Sequence, residues 1–462
     1  MFHVKHPQEE TIAAIATPLG IGGVGVIRVS GAEAEPVLRR LFVSSNGAEM
    51  ESHRMLHGWL IEPKTREKID EVMACFMQSP KSYTGENVVE FYCHGGMAII
   101  QKILSLVLES GARLAKKGEF TKRAFLNRKI DLAQAEGVLD LVSARTAEGA
   151  GFAIAQLEGK FSRIVSGLRD RLVMMLAELE AMIDFPEDLT ELDYNGFIGG
   201  IDGFVEEIDR LLDSAVSGRV YRAGLPTVII GKPNVGKSSL LNALLEEERA
   251  IVTDMPGTTR DAIEETISLH GLPLRIIDTA GIRHPKDRVE EFGVERTERE
   301  LSEADLALVV LDVSNGLEEL DKLVLKMARG KHIVIVLNKI DLGIIVNLEE
   351  LRGLTSGAPI FRTSALKGEG IGCLKQGIFE YILSNVLNPV KDAIAINSRH
   401  RECLLAARKS LLLASESLGK NLPADLIAID VKGAIVALGE VTGELVSEEV
   451  INAVFERFCV GK

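Results

Sequence analysis

A chain of 462 residues, 46% hydrophobic and 26% charged, is long enough for about three domains with substantial cores, and no apolar run approaches the ~20 residues of a membrane span. The formal net charge of −14 disfavours non-specific binding to nucleic acid, so an RNA substrate would have to dock on a local basic patch. Cys75, Cys93, Cys373, Cys403 and Cys459 are scattered, odd in number and without C-x-x-C spacing, which argues against a disulfide framework or zinc site and for a reducing cytoplasm.

The first ten residues are polar and include Glu9 and Glu10, which fits neither a signal nor a transit peptide. Residues 11–16 read as a strand, and Gly20-Ile21-Gly22-Gly23-Val24-Gly25 after it fits G-x-G-x-x-G. A dinucleotide fingerprint should open a helix here. Residues 24–29 instead read as another strand, so a glycine-rich hairpin is expected rather than a Rossmann turn. Helices are expected over 31–42 and 98–108, and strands over 73–77 and 88–92. Together these make an α+β domain, residues 1–122.

Helix signals dominate residues 123–221. Val165, Leu168, Leu172, Met175, Leu176, Leu179 and Ile183 recur at helical spacing on one apolar face. Asp184-Phe185-Pro186 ends that helix, and residues 201–216 give another. Helix packed on helix accounts for both.

Residues 222–385 alternate strands with helices. Pro226-Thr227-Val228-Ile229-Ile230 reads as a buried strand, Gly231-Lys232-Pro233-Asn234-Val235-Gly236-Lys237-Ser238 as a phosphate-binding loop, and Ser239 onward as a helix. Loop N–H groups and the helix N-terminus offer partial positive charge to a polyphosphate. Lys237 would reach the β/γ-phosphates, and the Ser238 hydroxyl would hold Mg²⁺. Gly257-Thr258-Thr259-Arg260-Asp261 supplies a candidate switch threonine, Thr259, for the same ion. Residues 262–269 and 274–278 flank His270-Gly271 as a hairpin, the one antiparallel pair in an otherwise parallel sheet. In Asp278-Thr279-Ala280-Gly281 the aspartate can hold Mg²⁺ through water, and Gly281 lets the backbone approach the γ-phosphate. In Asn338-Lys339-Ile340-Asp341 the Asp341 carboxylate can accept guanine N1–H and the 2-amino group, a pair of donors adenine lacks. Ser364-Ala365-Leu366 would offer a backbone N–H to guanine O6. In this order and spacing the motifs resemble a Ras-like GTP-binding domain, and the chain reads as a GTPase. Asn388-Pro389 marks the exit, and helices resume over 401–418, 424–438 and 447–458. The expected architecture is multidomain α/β: a discontinuous helical domain, residues 123–221 and 386–462, with the P-loop GTPase domain inserted.

Tyr83-Thr84-Gly85-Glu86, His94-Gly95-Gly96, Gly118-Glu119-Phe120-Thr121-Lys122-Arg123-Ala124-Phe125-Leu126-Asn127, Asp131-Leu132-Ala133-Gln134-Ala135-Glu136 and the terminal Phe458-Cys459-Val460-Gly461-Lys462 frame these motifs. Their order over the whole chain closely resembles the tRNA uridine-modification GTPase family (MnmE, also called TrmE). The resemblance implies a cytoplasmic homodimer joined through its N-terminal domains. With an FAD-dependent partner protein, in a heterotetramer, it would install a (carboxymethyl)aminomethyl-type group on carbon 5 of the tRNA wobble uridine. The one-carbon unit would come from a tetrahydrofolate derivative, 5-formyl- or 5,10-methylene-, bound in the N-terminal domain.

By match to the family's motif, Arg28, Glu90, Lys129 and Lys462 carry the folate site. A carboxylate can pair with the pterin's amidine-like edge, and cations suit the glutamate tail. On sequence alone Glu90 reads equally as a solvated strand face and Lys129 as a surface cation. Cys459 is a candidate reactive thiol or, alternatively, a small buried hydrophobe. Ras-type enzymes place a glutamine after the D-x-x-G glycine to orient the attacking water, and here that position is Ile282. The family match gives Glu290 this role, and a solvated charge beside Glu291 is the plain alternative. It also implies that GTP is enclosed by Asn234, Val235, Gly236, Lys237, Ser238, Ser239 and the loop of Thr253, Asp254, Met255, Pro256, Gly257, Thr258 and Thr259. K⁺ would sit where others use an arginine finger, with Asn234, Thr253, Met255 and Thr258 as ligands.

Two other readings remain open on sequence: a GTP-dependent ribosome- or RNA-assembly switch without modification chemistry, and a folate-dependent transferase with the GTPase as accessory. Lys116-Lys117, Lys122-Arg123 and Arg399-His400-Arg401 could contact phosphate, or be ordinary solvated surface.

Overall fold

The computed structural model describes residues 10–184, 194–246, 265–277, 294–355, 357–387, 394 and 396–462. By its internal contacts the chain divides into two units, residues 1–139 with 439–462, and residues 140–438.

The first unit is built on β1 (Ile12–Ile15), β2 (Val24–Ser30), β3 (Phe42–Ser44), β4 (Met55–Ile61), β5 (Lys68–Met77), β6 (Val88–His94) and β7 (Arg113–Leu114), in the order β3-β4-β5-β6-β2-β1-β7. β1 and β2 pair antiparallel, Ile15 opposite Ile27, so the glycine-rich segment joins a hairpin as expected. Alternation along β2, β5 and β6 sends Ile27, Val29, Ala74, Phe76, Val89 and Phe91 to one face. They form one core with Val37 and Leu41 of helix Ala34–Leu41 and with Ile100, Ile103 and Val107 of helix Met97–Glu109. The same alternation leaves Arg28, Glu90, Tyr92 and Cys75 for the other face. Register finishes the placement: Arg28 stands opposite Glu90, and Glu90 opposite Cys75.

Helix Glu119–Leu126 runs through residue 122, where the sequence suggested a domain end. The last helix, Glu448–Phe455, packs on it: Phe125 and Phe455 lie 6.3 Å apart, and Lys122 Nζ donates to Asn452 Oδ1 at 2.7 Å. Gly118 permits this, because a Cβ there would lie 2.6 Å from the Phe455 carbonyl oxygen. The chain's end is thereby joined to its beginning, and Val460 makes an antiparallel bridge with Lys117.

The second unit holds β8 (Leu225–Ile230), β9 (Glu265–Leu269), β10 (Leu272–Ile276), β11 (Leu306–Asp312), β12 (His332–Asn338) and β13 (Ile360–Arg362), in the order β13-β12-β11-β8-β10-β9. Among these strands only β9 and β10 pair antiparallel. His270 and Gly271 turn the hairpin with φ of 48° and 84°, the positive angles that suit a two-residue hairpin. Every residue of β11 is buried, as a central parallel strand covered on both faces should be. Helices before and after the sheet pack together. Asp209 on Tyr194–Ala223 pairs with Arg408 on Ser398–Gly419 at 2.6 Å, and Cys403, Leu404, Ala407, Leu411, Ala414 and Leu418 bury one stripe of the latter. On helix Lys160–Asp184, Val165, Leu168, Leu172 and Leu179 are buried as expected, whereas Ile183 is exposed. Among the described residues no helix is long and apolar enough to cross a membrane.

Candidate functional site

The phosphate loop lies between β8 and helix Lys237–Glu246. Three of its residues take positive φ: Gly231 at 155°, Asn234 at 64° and Gly236 at 98°. At Gly236 a Cβ would collide with the Asn338 carboxamide, so glycine is required by the approach of β12's end. Lys237 Nζ donates to the carbonyls of Gly231 at 2.9 Å and Lys232 at 3.1 Å. The ammonium thus arches over the loop, where a phosphate would accept stronger, charge-assisted bonds. Ser238 and Ser239 are exposed in the first turn of the helix. The Asn234 side chain is exposed and makes no hydrogen bond among the described residues, which leaves its carboxamide oxygen available to a cation.

Asn338 has a role the sequence did not disclose. It is 2% exposed; its Nδ2 donates to the Val235 carbonyl at 2.8 Å, and its Oδ1 accepts from Ala365 N at 2.9 Å and Thr363 Oγ1 at 3.4 Å. One carboxamide therefore ties the phosphate loop to the Ser364-Ala365-Leu366 turn. Of the segment expected to offer a backbone N–H to guanine O6, the Ala365 N–H is donated to Asn338 here.

Lys339 takes a left-handed φ of 66°, and its Nζ lies 2.7 Å from Asp312 Oδ2 at the end of β11. Burial would raise the Asp312 carboxyl, but bonds from Lys339 and Ser314 hold it below the usual carboxylate range. Asp312→Ala should therefore weaken GTP and GDP alike, by about 1 kcal/mol, the low end of the cost of orphaning one partner of a pair, because Lys339 stays partly exposed to water. Equal affinities by calorimetry would mean that Lys339 is held in another way. Asp341 follows in the turn Ile340–Leu342; the neighbouring Ser364 side chain keeps its carboxyl below the usual range, so it is ionised and acceptor-only at neutral pH. Thr253, Asp254, Met255, Pro256, Gly257, Thr258, Thr259, Asp278, Thr279, Ala280, Gly281, Ile282 and Glu290 lie outside the described residues.

A second constellation occupies the face of the first unit's sheet opposite its main core. Arg28 Nε donates to Glu90 Oε1 at 2.7 Å, and Tyr92 OH donates to Glu90 Oε2 at 2.5 Å. The Arg28 guanidinium lies 5.6 Å from the Tyr83 ring centre and 5.7 Å from that of Phe120, and its NH1 reaches the Gly461 carbonyl at 3.4 Å. Burial first, then the Glu90 carboxylate, pushes the Tyr92 hydroxyl up to about 12, so Tyr92 remains a donor. The Cys75 thiol is raised by burial and by Glu90. The Tyr83 loop is pinned by Tyr83 OH to Thr121 at 2.9 Å, Asn127 Nδ2 to the Thr84 carbonyl at 2.7 Å, and Arg123 to Glu86 at 2.8 Å.

Arg28, Glu90 and the terminal tail are thus brought together. Lys129 is exposed and bonded to the Pro80 carbonyl at 3.1 Å, and it makes no hydrogen bond or ion pair with Arg28 or Glu90. Lys462 is half-buried, and its N–H reaches the Cys459 carbonyl at 3.4 Å. Cys459 is exposed, whereas Phe458 before it is buried, so the small buried hydrophobe is the wrong description of this thiol. Tyr92, Tyr83 and Phe120 were not among the expected site residues. Period-two alternation from Glu90 is the one signal that could have found Tyr92.

Residues 11–129 match the family of the GTP-binding protein TrmE N-terminus, and residues 132–459 match the MnmE helical domain family. The tRNA modification GTPase MnmE of Natranaerobius thermophilus is 46% identical over 456 residues, covering 98% of this chain and 100% of the relative. That of Desulforamulus reducens is 45% identical over 459 residues, with 98% and 100% covered. That of Nostoc sp. is 44% identical over 457 residues, with 98% and 99% covered. Likeness at this level runs from end to end, through the sheet that carries Arg28 and Glu90 and the sheet that carries the phosphate loop, and the chain therefore belongs to the MnmE family of tRNA modification GTPases.

Proposed function

We propose that this chain hydrolyses GTP and couples hydrolysis to modification of carbon 5 of the tRNA wobble uridine, together with an FAD-dependent partner. The carrying observation is that Asn338 joins the phosphate loop to the Ser364-Ala365-Leu366 turn, bringing phosphate-binding and base-reading elements into one cradle. Lys237 and the loop N–H groups would bind the β- and γ-phosphates, Ser238 and Thr259 would ligate Mg²⁺, and Asp341 would read guanine. Asn234, with carbonyls of Thr253, Met255 and Thr258, would hold K⁺, and Glu290 would orient the attacking water.

Arg28, Glu90, Lys129 and Lys462 would hold the reduced folate, which supplies a one-carbon unit when bound. The residues fit such a group. Glu90 already accepts from Arg28 and Tyr92, yet a carboxylate has about four lone-pair sites and can still meet a pterin's two donors. Tyr83 and Phe120 offer aromatic surface beside them. Lys129 and Lys462 would pair with the folate's carboxylates, and Cys459 stands close by in the tail as a candidate thiol. A cytoplasmic homodimer joined through the N-terminal domains completes the reading.

Mass analysis of tRNA nucleosides from cells lacking the protein tests the whole reading: loss of the 5-substituted wobble uridine supports it, and an unchanged profile defeats it. The folate part has its own measurement. Deleting residues 460–462 should weaken reduced-folate binding by about tenfold or more, because Arg28 loses the Gly461 carbonyl and the site loses a cation. GTP affinity should not move. Calorimetry showing equal folate affinity with and without the tail would remove it from the site.

A further inference from the structure

The P-loop pattern leaves its second position open, and here that position is Lys232. Its side chain is 9% exposed, with Nζ 3.0 Å from Glu318 and 3.1 Å from Asp321. Asp321 sits in the first turn of helix Glu319–Met327 and is 2% exposed. Its Oδ2 also accepts the Glu318 N–H at 3.0 Å, while Oδ1 finds no partner among the described residues. On the other side of the same residue, the Lys232 carbonyl accepts Lys237 Nζ at 3.1 Å.

We propose that Asp321 is a positioning residue for GTP binding: through Lys232 it fixes the stretch of loop whose carbonyls station Lys237. This rests on the GTPase reading above. A buried ammonium needs a buried counter-charge, and removing one partner of such a pair is far costlier than removing both. Glu318, more than half exposed, is screened by solvent and cannot replace Asp321. With Asp321 neutralised, Lys232 swings toward water and draws its own carbonyl out of register with Lys237. The loop then presents its lysine in many positions rather than one, and the β-phosphate, common to GDP and GTP, is bound less well.

The test uses the full chain, titrated with GDP and with a non-hydrolysable GTP analogue, alongside steady-state hydrolysis. Asp321→Asn keeps the side-chain volume. It should raise both dissociation constants about tenfold, equal to about 1.4 kcal/mol, while kcat at saturating GTP changes less than about twofold. Lys232→Met should raise the constants to a similar extent, and serves equally if Asp321→Asn folds poorly. The double variant should bind no worse than either single one, since the coupling is pairwise. Wild-type affinity in Asp321→Asn, or a double variant whose loss is the product of the single losses, overturns the proposal. Failure of the wild-type chain itself to bind the GTP analogue would instead overturn the GTPase reading.

Discussion

Asp341→Asn should lose GTP by about 10²–10⁴-fold and bind xanthosine triphosphate in its place. The expectation follows from donor and acceptor counts. Guanine presents N1–H and a 2-amino group in a row, and an ionised carboxylate accepts both. Two charge-assisted bonds at about 1.5–3 kcal/mol each set the expected loss. The Asp341→Asn variant would put an amide N–H against a guanine donor, whereas xanthine has a carbonyl at position 2 that accepts it. Asp341 is suited to carry this test because it lies in the short turn Ile340–Leu342 with its carboxyl held low by Ser364. Asn338 is not suited: it spends its carboxamide on Val235, Thr363 and Ala365, so truncating it would loosen two loops at once. Competition between the two triphosphates for the Asp341→Asn chain decides the matter, and unchanged preference for GTP would assign base reading to another residue.

What the sequence made legible was local. The β1–β2 hairpin follows from Val24-Gly25-Val26-Ile27 continuing as a strand where a dinucleotide fold needs a helix, and the β9–β10 hairpin from His270-Gly271. β4 was not legible, because His57 and Gly58 interrupt its apolar pattern, and Gly58 is explained only by its neighbours: a Cβ there would lie 2.7 Å from the Phe42 ring. The start of β5 was missed for a related reason. Lys68, Asp70 and Glu71 carry no apolar alternation, yet Lys68 lies 3.9 Å over the Trp59 ring and Asp70 accepts the His94 N–H at 2.9 Å. Non-local pairings were the least legible. Arg28 and Glu90 are 62 positions apart, and only the β2–β6 register sets them opposite each other. Family resemblance supplied that pair, and physics alone supplied neither it nor the tail's reach to Arg28. The Lys232–Asp321 pair had no signal at all, since nothing in the order of residues says which helix will cover the loop.

Exchanging K⁺ for Na⁺ should slow GTP hydrolysis by an amount approaching the ~10³–10⁵ that an arginine finger contributes elsewhere. Ile282 stands where a water-orienting glutamine is found in Ras-type enzymes, so the chain must answer two needs differently: aiming the water, and offsetting charge that builds on the phosphate oxygens. In the proposed reading, a monovalent cation held at Asn234 would supply positive charge for the second need. Asn234 fits this use, with a left-handed backbone, an exposed carboxamide and no competing hydrogen bond among the described residues. Its oxygen is a hard neutral ligand, which suits a large weakly charged ion when carbonyls complete the shell. If two nucleotide domains packed face to face to hold those carbonyls at the ion, hydrolysis would depend on self-association as well as on salt. If Glu290 meets the first need, as proposed, Glu290→Ala should lower kcat and leave GTP affinity nearly unchanged, whereas Asn234→Ala should erase the difference between the two salts. Steady-state hydrolysis in K⁺ and Na⁺ buffers of equal ionic strength measures all three effects. Equal wild-type rates in the two salts would remove the cation from the chemistry and leave Asn234 as an ordinary turn residue, favoured there only because asparagine tolerates a positive φ.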